Sequence, residues 1–188
     1  MFFFDNQERV FKPRSIESAY LAILNNDLKL ASAIFESIDS PRARWGMILV
    51  SILEGFMQIY PTYFDIRNFL EIDLDFLIKN EKIEYVEMLL GVLDFFSNIN
   101  HETYKYTARV MYENKFHKSA REYMEKSKKI FYNDPELHFM YAKYFYESDN
   151  LKDANFYIDE CLRILPDYYP AKLMKKKIAE EVNKVIRH

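Results

Sequence analysis

An apolar pattern with a period of about 34 residues limits this chain to a stack of similar units, each too small to bury its own hydrophobic face. Ala108 and Ala142 stand one period apart, as do Ala120 and Ala154, and one step back lie Leu74 and Val86. The same step links Leu77, Met111 and Phe145, then Leu90, Met124 and Ile158, then Leu93, Ser127 and Cys161. Within a unit the apolar positions fall at helical intervals. Leu151, Ala154, Ile158, Cys161, Leu162 and Leu165 form one stripe, preceded by a second at His138, Tyr141, Ala142 and Phe145. Between the stripes Asn80, Asn114 and Ser148 recur at the repeat spacing, where asparagine suits the left-handed end of a helix. Each unit is therefore expected to be a helical hairpin.

Start signals agree with this reading. Asp134 can cap, Pro135 suits the first helical position and Glu136 complements the helix dipole, and Ser40-Pro41 repeats the arrangement upstream. Asn25-Asn26-Asp27-Leu28, followed by Ala31, Phe35 and Ile38, matches Ser148-Asp149-Asn150-Leu151 with its following Ala154, Ile158 and Cys161, which places a first hairpin at 14–39. The register then slips. About 21 residues beyond whole repeats separate that hairpin from the regular array. Pro41 to Gly55 reads as a helix through Trp45, Ile48, Leu49 and Ile52, but Pro61 interrupts its partner, so 41–66 is expected to be irregular.

The units resemble tetratricopeptide repeats, which pair two antiparallel helices with a small residue in each and a proline after the second. From Pro135 to Pro166 the resemblance rests on Ala142, Ala154, Phe145, Ile158 and Pro166. The unit before it keeps Tyr104, Ala108, Met111 and Ala120, but has Thr107 and Tyr132 where a large apolar residue and a proline are usual. The unit at 67–100 departs further, with Leu74, Val86 and Asp73. The resemblance implies an all-α, antiparallel helical-hairpin superhelix of about 9–10 helices in one domain over 1–188. Repeats at 67–100, 101–134 and 135–168 would be closed by a capping helix at 169–188, whose apolar edge is Leu173, Ile178, Val182 and Val185.

The same resemblance implies a function. Family partners lie along the concave side, on the first helix of each hairpin. Here that face would carry Lys105, Arg109 and Tyr112, then Phe139, Lys143 and Tyr146, with Glu71, Asp75 and Ile78 one repeat earlier. The groove would run from acidic to basic and hold a protein or peptide segment, as an adaptor or scaffold. A small chaperone for a secreted partner, similar to those of bacterial secretion systems, is the alternative, and a ligand sensor or an enzyme of unknown type comes after it. Met140 and Met174 occupy points where a clamp for a free C-terminal carboxylate continues its basic set, so that specificity is not expected.

Composition narrows the remaining classes. Three glycines and six prolines in 188 residues are too few for a barrel or sandwich of many hairpins. A net charge of -3 lacks the basic excess that phosphate neutralisation needs, so no nucleic acid is expected as partner. The single Cys161, on an apolar stripe, suits a reducing compartment, taken as the cytoplasm. Trp45 to Tyr60, broken by Glu54 and Gln58, falls short of the roughly 20 apolar residues of a membrane span. Phe2-Phe3-Phe4 is shorter than the core of an export signal, and could serve self-association or fold back onto the core. No glycine-rich phosphate loop, paired-cysteine or histidine-glutamate metal motif occurs, and His101, His117 and His138 are scattered, so no catalytic, cofactor or metal site is expected.

Overall fold

A computed structural model describes residues 14–55, 57 and 59–186, and among them only helices, turns and loops occur. Phe2-Phe3-Phe4 lies outside the described residues. The helical segments are α1 (Ile16–Leu24), α2 (Leu28–Glu36), α3 (Pro41–Leu53), α4 (Asp65–Phe69), α5 (Asp75–Lys79), α6 (Ile83–Gly91), α7 (Leu93–Ile99), α8 (Thr103–Glu113), α9 (His117–Ile130), α10 (Pro135–Glu147), α11 (Leu151–Ile164) and α12 (Tyr169–Ile186). A π-helical turn, Leu70–Leu74, joins α4 to α5 as one continuous helix, and α6 meets α7 at Val92. Consecutive helices pack as antiparallel hairpins, α1 on α2, α8 on α9 and α10 on α11, and α12 closes the stack against α11.

The hairpin corners explain the repeat. In each, one residue takes a left-handed backbone: Asn26 (φ 61°), Glu81 (56°), Lys115 (68°) and Asp149 (56°). The last three follow one another at the repeat spacing, while Asn26 precedes Glu81 by one repeat and the extra stretch. Each corner closes with the same pair of backbone hydrogen bonds. Asp27, Lys82, Phe116 and Asn150 donate N–H to the carbonyls of Ala22, Leu77, Met111 and Phe145, and the left-handed residue donates to Ile23, Ile78, Tyr112 or Tyr146. The left-handed residue is thus one position after Asn80, Asn114 and Ser148, which keep negative φ. Their side chains instead donate back to the carbonyls of Phe76, Val110 and Tyr144 at 2.8, 2.9 and 2.9 Å, tying down carbonyls that the helix end leaves free.

Packing follows from the small residues. Ala108, Ala120, Ala142 and Ala154 are fully buried. Thr107 is buried too, its hydroxyl donating to the Thr103 carbonyl at 3.0 Å. The stretch outside the repeat register appears as α3, which packs on α1, α2 and α6, and as the loop that leaves it at Gly55 (φ 89°) and runs to α4. Gly46 lets α3 approach α2 closely, since a Cβ there would sit 2.3 Å from the Phe35 ring. The π turn carries the fully buried Asp73, which accepts hydrogen bonds from Tyr20 Oη (2.6 Å) and Arg42 Nη1 (2.8 Å). Burial pushes the Asp73 carboxyl up, against the pull of Arg42 and Tyr20.

Candidate groove along the first helices of the hairpins

One strip of surface crosses α1, the helix from α4 to α5, α8, α10 and α12, and carries three depressions. The largest, about 630 Å³, is a trough between α1 and the π turn, walled by Tyr20, Leu21, Leu24, Ile72 and Phe76. The second, about 120 Å³, lies between α8 and α10 and is lined by Arg109, Tyr112, Phe139, Lys143 and Tyr168. The third, about 440 Å³, lies between α10 and α12, where Phe139, Lys143 and Tyr146 meet Leu173, Met174 and Lys177. Phe139 and Lys143 line both of the last two, and the Arg109–Glu71 ion pair (2.6 Å) joins the second to the first.

Charge divides this strip into a paired centre and an unpaired end. Arg109 is held between Glu71 and Glu136. Lys105, expected in the groove, is instead buried, with Nζ 2.6 Å from Asp134, 3.2 Å from Glu136 and in contact with Glu102. Burial alone would lower the Lys105 pKa, but the hydrogen bonds it donates to Asp134 and Glu102 outweigh it and raise the value. The same contacts, with the Tyr106 hydroxyl, hold Glu102 below the usual carboxylate range despite its burial. Lys105 therefore joins α8 to the cap of α10, and its charge is consumed there. Asp75 lines the trough and is tied to Lys79 (2.6 Å) and Asn114 (2.8 Å). Ile78 packs against the core and lines none of the three depressions.

At the α10–α12 end the cations are available. Lys143 Nζ lies 4.9 Å from the centre of the Tyr112 ring and Lys177 Nζ 4.6 Å from that of Tyr146. Neither forms an ion pair with the described carboxylates, although Glu147 shares their cup. Tyr112 lines the second depression with its hydroxyl buried and without a hydrogen-bond partner among the described residues. Burial, with Glu147 nearby, raises its pKa, so it stays a donor.

The structure thus brings together Arg109, Tyr112, Phe139, Lys143 and Tyr146, reaches Asp75 through Asn114, and leaves Lys105 and Ile78 outside. It adds Leu173 and Lys177, whose signal was in the chain: they stand one full repeat after Phe139 and Lys143. The α1 wall had no such signal, because the extra stretch between 41 and 66 removes it from the repeat register.

Elsewhere reactive groups are enclosed or dispersed. Burial, with Asp134 adding to it, pushes the Cys161 thiol up to about 11. No group of three or more metal-ligand side chains gathers among the described residues, and no described helix is long and apolar enough to cross a membrane.

No protein-family model matches the chain, and no curated protein matches it by sequence. Its fold is similar to the crystal structure of the C-terminal part of a TPR repeat-containing protein from Cytophaga hutchinsonii, with a TM-score of 0.51 over 87% of this chain and 70% of the other. The two are 14% identical, so the likeness concerns architecture.

Proposed function

We propose that this protein is an interaction module that holds a protein or peptide segment along the strip formed by the first helices of its hairpins. The unsatisfied end of the strip carries the reading. Two ammonium groups rest on tyrosine faces beside an apolar cup. A carboxylate-bearing segment with a bulky apolar residue would engage both cations and the cup, its acid between Lys143 and Lys177 and its apolar side chain against Phe139, Leu173 and Met174. The depressions are open troughs in a row, which favours an extended partner over an enclosed small ligand. An adaptor or scaffold role needs no more than this, and a chaperone would use the same surface on an unstable client.

Selection from a random peptide library on the immobilised protein tests the reading. Enriched sequences should pair acidic with apolar residues and bind at least tenfold more weakly to the Lys143→Glu/Lys177→Glu variant. Absence of enrichment, or peptides indifferent to this reversal, would refute it. Arg109 is a poor probe, because reversing it also breaks its pairs with Glu71 and Glu136. A chaperone would be separated from an adaptor by a client that loses solubility without the protein.

A further inference from the structure

The trough at the α1 end and the cup at the α10–α12 end lie at one level of the stack. Glu71, Asp75 and Lys79 line the trough, and two repeats further on Phe139, Lys143 and Glu147 line the cup. A straight segment laid across the first helices therefore meets both. The two sites differ in chemistry. The cup offers Lys143 and Lys177 beside apolar side chains. In the trough Glu71 is paired with Arg67 and Arg109, Asp75 with Lys79, and Arg42 with Asp73. What the trough offers is thus chiefly apolar surface, with Leu21 and Ile72 exposed by 54% and 41%. Glu17, also in its lining, opposes an acidic residue at this end.

Resting on the reading of the cup as a partner's seat, we propose that the trough is a second anchor for the same segment. It takes a bulky apolar residue about eight positions from the acidic and apolar pair held at the cup. From the trough, between α1 and the helix of α4 and α5, to the cup, between α10 and α12, the segment crosses three helix spacings, about 24–30 Å in all. An extended chain rising about 3.3 Å per residue covers this in about seven to nine residues. The depression of about 120 Å³ beside Arg109, midway along, asks for smaller side chains between the anchors. Charge sets the direction, with the acid at the cup and an uncharged end at the trough. Two anchors on one segment act as a tethered pair, so the second adds affinity only when the spacer reaches.

Peptides carrying Asp-Phe at one end and Leu at the other of a Gly-Ser spacer of three to twelve residues, made in both orders and titrated by fluorescence anisotropy, test this. Affinity should peak near a spacer of seven, at least fivefold above the three-residue spacer and above the peptide with Gly in place of Leu. Leu21→Asp/Ile72→Asp should abolish that gain yet still bind the peptide without Leu, which reports an intact fold. Lys143→Glu/Lys177→Glu should weaken every length. Affinity that ignores spacer length, or a gain that survives Leu21→Asp/Ile72→Asp, would overturn the second anchor while leaving the cup in place. Binding indifferent to Lys143 and Lys177, or no binding at any length, would overturn both readings. The spacer series on the unaltered protein decides the point even if the trough variant misfolds.

Discussion

The two halves of the molecule share their corners and differ in what fills the space between helices. From α8 onward, alanines stand where helices cross, and the buried charge is Lys105 with its surrounding carboxylates. In the repeat just before α8, the equivalent points hold Leu74 and Val86, Leu74 falls in a π turn, and a fully buried carboxylate is met by one arginine and one tyrosine. The corner fixes how two helices turn, whereas side-chain size at the crossing fixes how they stack. Regular stacking therefore lapses where the small residues do, although the corner geometry persists through all four hairpins.

Removing each half's buried cation compares them most directly. Lys105→Met leaves Asp134 buried without its counter-charge and should cost about 3–5 kcal/mol in urea unfolding. Arg42→Met strands Asp73 in the same way, but the arginine head is a quarter exposed and Tyr20 still donates, so about half that loss is expected. Equal losses would mean that water reaches both sites alike. Next in size is Gly46→Ala, which forces a methyl into the Phe35 ring and should cost about 2 kcal/mol. Gly91→Ala meets no atom within 4 Å and should instead gain up to about 1 kcal/mol from helix propensity, with opposite shifts in melting temperature as the readout.

Acid should act on the halves with opposite sign. His138, between Tyr132 and Tyr157, donates from Nε2 to the Tyr132 carbonyl and buries Nδ1 without a partner among the described residues, and burial lowers its pKa. Its contribution is complete above the unfolded value near 6.5 and is lost as pH falls below it, because only the unfolded chain then takes the proton, at most about 1.4 kcal/mol per pH unit. Asp73 has a raised pKa, so between its ordinary value and the raised one the folded chain binds more proton, and stability grows as pH falls. Unfolding measured from pH 7.5 down to the ordinary aspartate range near 4 should show a flatter decline in His138→Gln and a steeper one in Asp73→Asn. Unchanged slopes in both would refute the assignment.

The sequence was informative where physics is local and periodic. The all-helical hairpin fold followed from the apolar repeat. What spacing could not reveal is which cations stay free. Lys105 and Lys143 occupy adjacent units of one pattern, yet Lys105 meets Asp134, whose one carboxylate oxygen caps α10 while the other faces α8, and Lys143 meets a tyrosine ring. Nor does spacing show that Asp73 turns inward, since that depends on Tyr20 and Arg42, 53 and 31 residues away.

The smallest expected effect probes what the halves share. Left-handed backbone disfavours side chains bearing a Cβ, yet Glu81, Lys115 and Asp149 adopt it because two backbone hydrogen bonds close each corner. Glycine should relieve that strain, and the relief, up to about 1 kcal/mol, exceeds what its greater freedom in the unfolded chain removes. Lys115→Gly and Glu81→Gly should therefore raise the urea midpoint alike, one in each half. Asn26→Gly should change it least, because asparagine tolerates this conformation best among non-glycine residues. If Glu81→Gly gained nothing while Lys115→Gly did, the corner next to the π turn would be under less strain than its dihedral angle implies, and the halves would differ at their corners too.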